Sequence, residues 1–285
     1  MFLKSCLSKK KFLLLLLLLP VLITTGQTYT IASYNLRYGS ANDQGNLWKD
    51  RKGAMFSLVR YHDFDIFGTQ EGLPEQLNEL ATTLPQYSRY GKGRDDGSDK
   101  GEHSAIFYKK DKFRLLASGD FWLSETPDKP GLGWDATCCN RICSWVYLQD
   151  KKSKRKFYFF NVHLDHQGKV ARLESSKLIL KKIQEIAKGT PVVLTGDFNA
   201  ERSAEPYKII AGSAIVRDSY KDVQYPYENN GSFNAFKNDF TSTGVIDHIF
   251  ISQQFKAVKW GILTDTYFGK FPSDHFPVEA VVILR

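Results

Sequence analysis

Cysteine is scarce, and its distribution excludes a structural zinc site. Of the four cysteines in 285 residues, Cys6 stands alone near the start and Cys138, Cys139 and Cys143 form one cluster. No second group of Cys or His follows at zinc-ligand spacing. Beyond Cys6 the number is odd, so at least one thiol is free or pairs between molecules. A buried structural role is the reading for the cluster, and its disulfide state stays open. The sequence also lacks repeats, low-complexity tracts after its first residues, and any linker that would split it. One domain of ordinary size accommodates it.

Long apolar runs are missing too, apart from one. Lys4, Lys9, Lys10 and Lys11 precede an apolar stretch from Phe12 to Leu19, continued after Pro20 by Val21, Leu22 and Ile23, then Thr24, Thr25 and Gly26. Basic, apolar, then small is the order of a secretory signal peptide. The run falls short of the ~20 residues of a membrane span. Residues 1–26 are therefore expected to be a leader cleaved near Gly26, with a retained anchor as the alternative, and the mature chain to be periplasmic or extracellular. Cys6 lies before the run, the wrong place for lipidation at the cleavage point.

An excess of one charge is likewise weak. The formal charge is +8, and removing the four leader lysines leaves +4 on residues 27–285. That is mildly attractive to phosphate but is no nucleic-acid signature. The densest basic run, Lys151 to Lys156, lies between two strand-like segments and reads as a solvated hairpin tip.

What the chain does contain is an interleaving of strand and helix patterns. Strands are expected over Tyr29–Leu36, Phe64–Thr69, Ser104–Tyr108, Phe113–Asp120, Ser144–Gln149, Lys156–His163, Pro191–Thr195, Val245–Ser252 and Val278–Leu284. Helices are expected over Lys49–Tyr61, with Asp50 as a candidate cap, and over Pro74–Leu84, Lys169–Lys188 and Glu205–Ala211. Gly91–Gly101 reads as a loop. The order argues α/β or α+β with layered sheets.

Polar groups interrupt these strands at their ends: Asn35, Glu71, His163 with Asp165, Asp197 with Asn199, and Asp274 with His275. Asp247 lies within a sixth strand-like run. Such groups at the ends of buried strands need hydrogen bonds, charged partners or a metal. Five in one chain suggest ends that converge on a polar site.

The segments around them occur in order as Ser33-Tyr34-Asn35-Leu36, Thr69-Gln70-Glu71, Asn161-Val162-His163-Leu164, Thr195-Gly196-Asp197-Phe198-Asn199, Ile246-Asp247-His248-Ile249 and Ser273-Asp274-His275. Together they resemble the signature blocks of the endonuclease/exonuclease/phosphatase superfamily, and they span residues 33 to 275. The resemblance implies an α/β four-layer sandwich, two packed mixed β-sheets flanked by helices, with the site at one end between the sheets. It implies hydrolysis of a phosphate ester by activated water, assisted by Mg²⁺ or alternatively Mn²⁺.

By the same resemblance Glu71 is the principal metal ligand, with Asn35 and Asp274 contributing. Asp197 and Asn199 hold the attacking water, although an Asx turn would also place both residues there. His163 and His275 face the scissile phosphate as charged imidazoles, each oriented by a carboxylate: Glu102 for His163, Asp247 for His275. A satisfied core histidine is the other reading of His163. Arg37 stands where some relatives carry an acid, which puts a second metal there in doubt and makes Arg37 a phosphate contact. Arg94 and Arg141 are further candidates for phosphate contact, with a plain surface position the equal alternative for each. Asp165 and His166 belong to a run, His163 to Gly168, that is similar to an exported bacterial subgroup.

The expected substrate is a phosphodiester, nuclease-like, with a nucleic acid as one partner. The alternatives are a sugar or inositol phosphomonoester or a sphingomyelin-type lipid. A lipid substrate would want an exposed apolar hairpin, for which Phe268, Phe271 and the Phe233/Phe236 pair are candidates, with core packing the plainer role for each. No stable membrane insertion is expected after leader removal, and a monomer is expected. A catalytically dead binding module is disfavoured because every proposed active group is present.

Overall fold

The computed structural model describes residues 26–285, so the leader reading of residues 1–26 lies outside the described residues except at Gly26. Twelve strands form two six-stranded mixed sheets. In the first sheet, β1 (Gln27–Asn35) pairs in parallel with β2 (Ile66–Gln70). It pairs antiparallel with β12 (Val278–Leu284), which is flanked by β11 (Phe255–Ile262), while β4 (Ile106–Lys109) and β3 (Tyr87–Tyr90) complete the other edge. In the second sheet, β7 (Lys156–His163) and β8 (Val192–Asp197) run parallel. On one side of them lie β6 (Ile142–Asp150) and β5 (Phe113–Trp122), on the other β10 (Asp247–Ile251) and β9 (Arg217–Asp218).

Alternation of side chains along these strands builds the layers. Ile31 and Ile66 from one sheet meet Val146, Phe159, Val193 and Ile249 from the other in a dry core between the sheets. Their sequence neighbours point outward. Ala32, Tyr34, Phe67 and Phe107 pack under α1 (Trp48–His62) and α2 (Pro74–Thr83). Phe160, Val162, Leu194 and Phe250 pack under α3 (Lys169–Ala187) and α4 (Glu205–Ala211). The result is the expected four-layer α/β sandwich.

A polar rung interrupts the dry interior just below the strand ends. The Asn161 amide donates to the carbonyls of Thr69 (2.8 Å) and Ala105 (3.0 Å), and its Oδ1 accepts from Gln70 (2.8 Å) and Thr195 (3.1 Å). Asn161 and Thr195 belong to the second sheet, Thr69 and Gln70 to the first, so this one side chain stitches the sheets together. Gly68 makes room for it: a Cβ there would collide with both Asn161 and Thr195.

The elements differ from expectation at a few places. Asp50 does not cap α1. The helix starts at Trp48, and Asp50 instead sits in its first turn, where its charge meets the helix dipole. β3 and the two-residue β9 were not expected, because each is short and partly polar at a sheet edge. In β11, Phe255, Ala257, Trp260 and Ile262 are buried, but a bulge between Ala257 and Lys259 breaks the period-two pattern that would have revealed it. The basic run does form the exposed turn between β6 and β7. Among the described residues, no helix is long and apolar enough to cross a membrane.

Candidate active site

Strand direction brings the polar ends together. β1 and β2 run in parallel with Asn35 beside Gln70, and β7 and β8 run in parallel with His163 beside Asp197. β10 enters antiparallel with Asp247 opposite Asp197, and the segment before β12 delivers Asp274 and His275 to the same edge. Five of these six segments line one cleft of about 410 Å³, and β10 backs it with Asp247.

Asn35 is the link between the two sheets at this end. Its Nδ2 donates to Glu71 Oε1 and to Asp197 Oδ2, both at 3.0 Å, and its Oδ1 accepts from the Arg37 amide at 2.9 Å. Glu71 adopts a left-handed backbone (φ 62°) that turns its carboxylate into the cleft, where Oε2 accepts from the Tyr38 amide. Holding a non-glycine residue there costs strain, a feature concentrated at functional positions.

Asp197 is almost fully buried in the cleft floor. Its Oδ1 accepts from the Asn199 amide (2.9 Å), and its Oδ2 lies 3.5 Å from His163 Nε2 and 3.7 Å from His275 Nε2. Burial, reinforced by the nearby Asp247 charge and opposed by His275, pushes the Asp197 carboxyl up to about 7. Asn199 forms the expected Asx turn, with its amide on Asp197 and its side chain on the Leu164 carbonyl, and still lines the cleft. Turn and site are thus the same object.

The two histidines differ. His275 Nδ1 meets Asp247 Oδ2 at 2.9 Å, as expected. Burial alone would lower its pKa, but Asp247 and then Asp197 raise it well above the ordinary value, so the ring carries a proton. His163 departs from expectation. Glu102 Oε2 is 3.9 Å from His163 Nδ1, outside hydrogen-bond range, because Glu102 is engaged by both arms of the Arg94 guanidinium at 2.7 and 2.8 Å. Burial, then the Arg141 and Arg94 charges, hold His163 well below the ordinary value. His163 is a neutral ring here, and the charged pair with Glu102 is not formed.

Of the arginines, Arg37 is clamped by Asp43 (2.8 and 2.9 Å) and reaches within 3.6 Å of Asp274. Arg141 donates to His166 Nδ1 at 2.9 Å and lies 3.4 Å from Asp165, leaving one buried guanidinium nitrogen without a partner. Asp165 is behind Arg141, accepting the amides of Gln167 and Gly168 ahead of α3. Asn35, Asp247 and Asp165 thus support the cleft from behind, and the other expected residues line it directly. Tyr38, Cys139 and Phe233 line it as well and were not anticipated. No periodicity marks them, since only the fold brings them there.

The cysteine reading divides. Cys143 is buried and free, whereas Cys138 and Cys139 are joined in a disulfide at the partly exposed rim. The aromatic candidates divide too. Phe271 packs on Phe276, Arg51 stacks over Phe236, but Phe268 is fully exposed and Phe233 faces the cleft.

Asp197, Asp247 and His275 offer atoms within 4.8 Å of one another, as do Cys138, Asp165 and His166. In the first group His275 Nδ1 is already bonded to Asp247 at 2.9 Å, and in the second the Cys138 sulfur is in a disulfide. Glu71 and Asp274 face the cleft from the first sheet. Burial raises the Asp274 carboxyl; the His275 charge opposes this, the Glu71 charge adds to it, and Arg37, at 3.6 Å, and Arg51 oppose it further. Glu71 and Asp274, with Glu71 held in place by the Asn35 amide, form a carboxylate pair suited to a hard divalent ion.

The chain matches the model of the Endonuclease/Exonuclease/phosphatase family over residues 32–275. It is 45% identical to an endonuclease/exonuclease/phosphatase family protein of Bacteroides thetaiotaomicron, with a TM-score of 0.89 over 91% of this chain and 99% of the other. It is 46% identical to a mannosyl-6-phosphatase of the same organism, with a TM-score of 0.87 over 90% and 99% of the two chains. Among curated relatives, mouse Nocturnin is 26% identical over 81% of this chain and 56% of its own length. A mimivirus protein is 27% identical over 54% of this chain and 60% of its own. The chain thus spans somewhat over half the length of those curated relatives.

Proposed function

The chain belongs to the endonuclease/exonuclease/phosphatase family of phosphoester hydrolases, and on that premise we propose that it removes phosphate from a sugar phosphomonoester in a divalent-metal-dependent reaction. The observation that carries this choice is the arginine corner. Arg94 and Arg141 sit nearly buried along the cleft; Arg94 is held by Glu102, whereas Arg141 keeps one nitrogen unpaired and is the guanidinium open to a ligand. A terminal phosphoryl group, with its extra charge and oxygens, is what such a corner recognises. A nuclease would want a broad basic groove along a backbone. The 46% identity with a mannosyl-6-phosphatase supports the same direction. The proposal therefore takes up the phosphomonoester alternative in preference to the phosphodiester.

In this reading Glu71 and Asp274 would hold the cation, and Asn35 holds Glu71 in place through its side-chain amide. When bound, Mg²⁺ supplies Lewis-acid polarisation of a phosphoryl oxygen and charge for the departing one. Asp197 orients the attacking water and takes its proton, a role suited to a carboxyl raised to about 7. Asn199 fixes the water's second contact. His275, kept charged by Asp247, donates to the phosphoryl oxygens as negative charge grows in the transition state. His163, neutral, donates a hydrogen bond from Nε2 to the same group. Arg37 and Arg141 bind the phosphoryl oxygens from the sides.

The leader makes the enzyme exported, and the Cys138–Cys139 disulfide is consistent with an oxidising compartment. Intact-mass measurement of the protein recovered outside the cytoplasm tests this: a start near residue 27 is expected, and an uncleaved chain held in cells contradicts it. For the activity, purified protein should release phosphate from hexose 6-phosphates with Mg²⁺ and not with EDTA. Turnover confined to oligonucleotides or sphingomyelin would replace this reading.

A further inference from the structure

Beside Tyr38, the cleft carries apolar surface at Phe233 and at the Cys138–Cys139 disulfide. Phe233 is 41% exposed, which for a lone aromatic needs no explanation. Its setting is unusual, however. Its backbone bridges to His275, and its ring meets the His275 ring edge-on at 5.0 Å. The next residue, Asn234, is buried and bound to the carbonyls of Ser273 and Asp274. An exposed ring is thus fixed to the most constrained part of the site.

The disulfide is fixed as well. Its segment is tied at one end by Asp135, which accepts the amides of Val170 and Ala171, and by Thr137 on Gln167. At the other end Asn140 donates to the Arg94 carbonyl. Joining adjacent cysteines closes a small rigid ring and turns two reactive thiols into one apolar face, of which Cys139 lines the cleft.

We propose that Phe233 and the Cys138–Cys139 disulfide are the apolar walls of the leaving-group subsite, and that they select a pyranose ring. A pyranose presents C–H faces to apolar walls and hydroxyls at its edge. His166, which lines the cleft and has a ring nitrogen within 4.8 Å of Cys138 Sγ, is a polar partner for those hydroxyls. Rigid walls gain dispersion contact without paying to order themselves. This rests on the sugar-phosphate reading above and adds which residues choose the sugar.

The test is a specificity ratio: kcat/KM for a hexose 6-phosphate over kcat/KM for glycerol 3-phosphate, which shares the phosphoryl chemistry but has no ring. Phe233→Ala should lower the ratio about tenfold, mostly through KM, and Phe233→Trp should restore it. Cys138→Ser/Cys139→Ser, or reduction of wild type, should lower it several-fold. Because both substrates use His275, damage to the catalytic end cancels in the ratio. A ratio that stays within twofold in Phe233→Ala and the serine pair overturns the walls while phosphatase activity stands. Mass mapping that finds Cys138 and Cys139 as free thiols in active enzyme overturns the disulfide wall. Wild type inert on both substrates removes the underlying reading and this inference with it.

Discussion

Asp247 has no exposed surface, gives Oδ2 to His275, and leaves Oδ1 with no partner. Such a carboxylate is a costly thing to bury, and its return is the proton it keeps on His275. Asp247→Asn preserves shape and removes that charge. Turnover should fall at least about 10²-fold, the scale of losing one transition-state contact, with circular dichroism unchanged. A rate within threefold of wild type would show that His275 needs no counter-charge. Glu71→Ala should cost at least about 10² in rate by the same reasoning. It should also weaken Mg²⁺ binding measured by calorimetry, a readout independent of turnover.

Between elements, the bond that matters most is Asn161. It satisfies two buried carbonyls of the first sheet and accepts from Gln70 and Thr195. Asn161→Leu keeps the volume and removes all four bonds, although Gln70 keeps Ser33, Thr195 keeps the Phe160 carbonyl and the Ala105 carbonyl keeps the Thr69 amide, so the Thr69 carbonyl is the group chiefly stranded. At ~1–3 kcal/mol for an unsatisfied buried group, the loss should be about 1–3 kcal/mol. Urea unfolding should show it as a lower midpoint at constant slope; an unchanged midpoint would mean the sheets are held by apolar packing alone. His248 offers a pH test at the same scale. Its Nε2 donates to the Ala200 carbonyl, and burial lowers its pKa from 6.5. The unfolded chain therefore takes up the proton first. The stabilisation is complete above about 6.5 and drains away as pH falls toward the folded value. Between pH 7.5 and 5.5 wild type should lose stability faster than His248→Gln. Parallel curves would assign the loss to other groups. These two residues also mark the limit of sequence reading. Helices and most strands were legible because apolar spacing repeats, as in α3 and β7. Asn161 looks like an interruption of an apolar strand, and only the facing sheet reveals its function. His248 likewise resembles a site residue by its neighbour Asp247, yet it serves the packing around Tyr207 and Phe250.

Across the whole molecule the candidate machinery is divided between the sheets. Glu71, Asn35 and Asp274 come from β1, β2 and the approach to β12 in the first sheet, whereas Asp197, His163 and Asp247 come from the second. The sequence made the residues readable, since each interrupts an apolar run at a strand end, but not their division, which follows from sheet order. Nor did it reveal Phe233 or Cys139, which reach the cleft from loops without periodicity. The division separates cation binding from water activation and so makes them testable apart. Mg²⁺ at about ten times its Kd should stabilise the fold by about 1.4 kcal/mol, a rise in Tm of roughly 3–6 °C for a chain of this size. Glu71→Ala should abolish that rise relative to its own metal-free state. Asp197→Asn should keep it while losing turnover, because it removes a charge from the second sheet and leaves the first intact. The reverse pattern, with the rise lost in Asp197→Asn and kept in Glu71→Ala, would move the cation to the trio of Asp197, Asp247 and His275. His275 could then not hold its proton, and the division of labour between the sheets would be inverted.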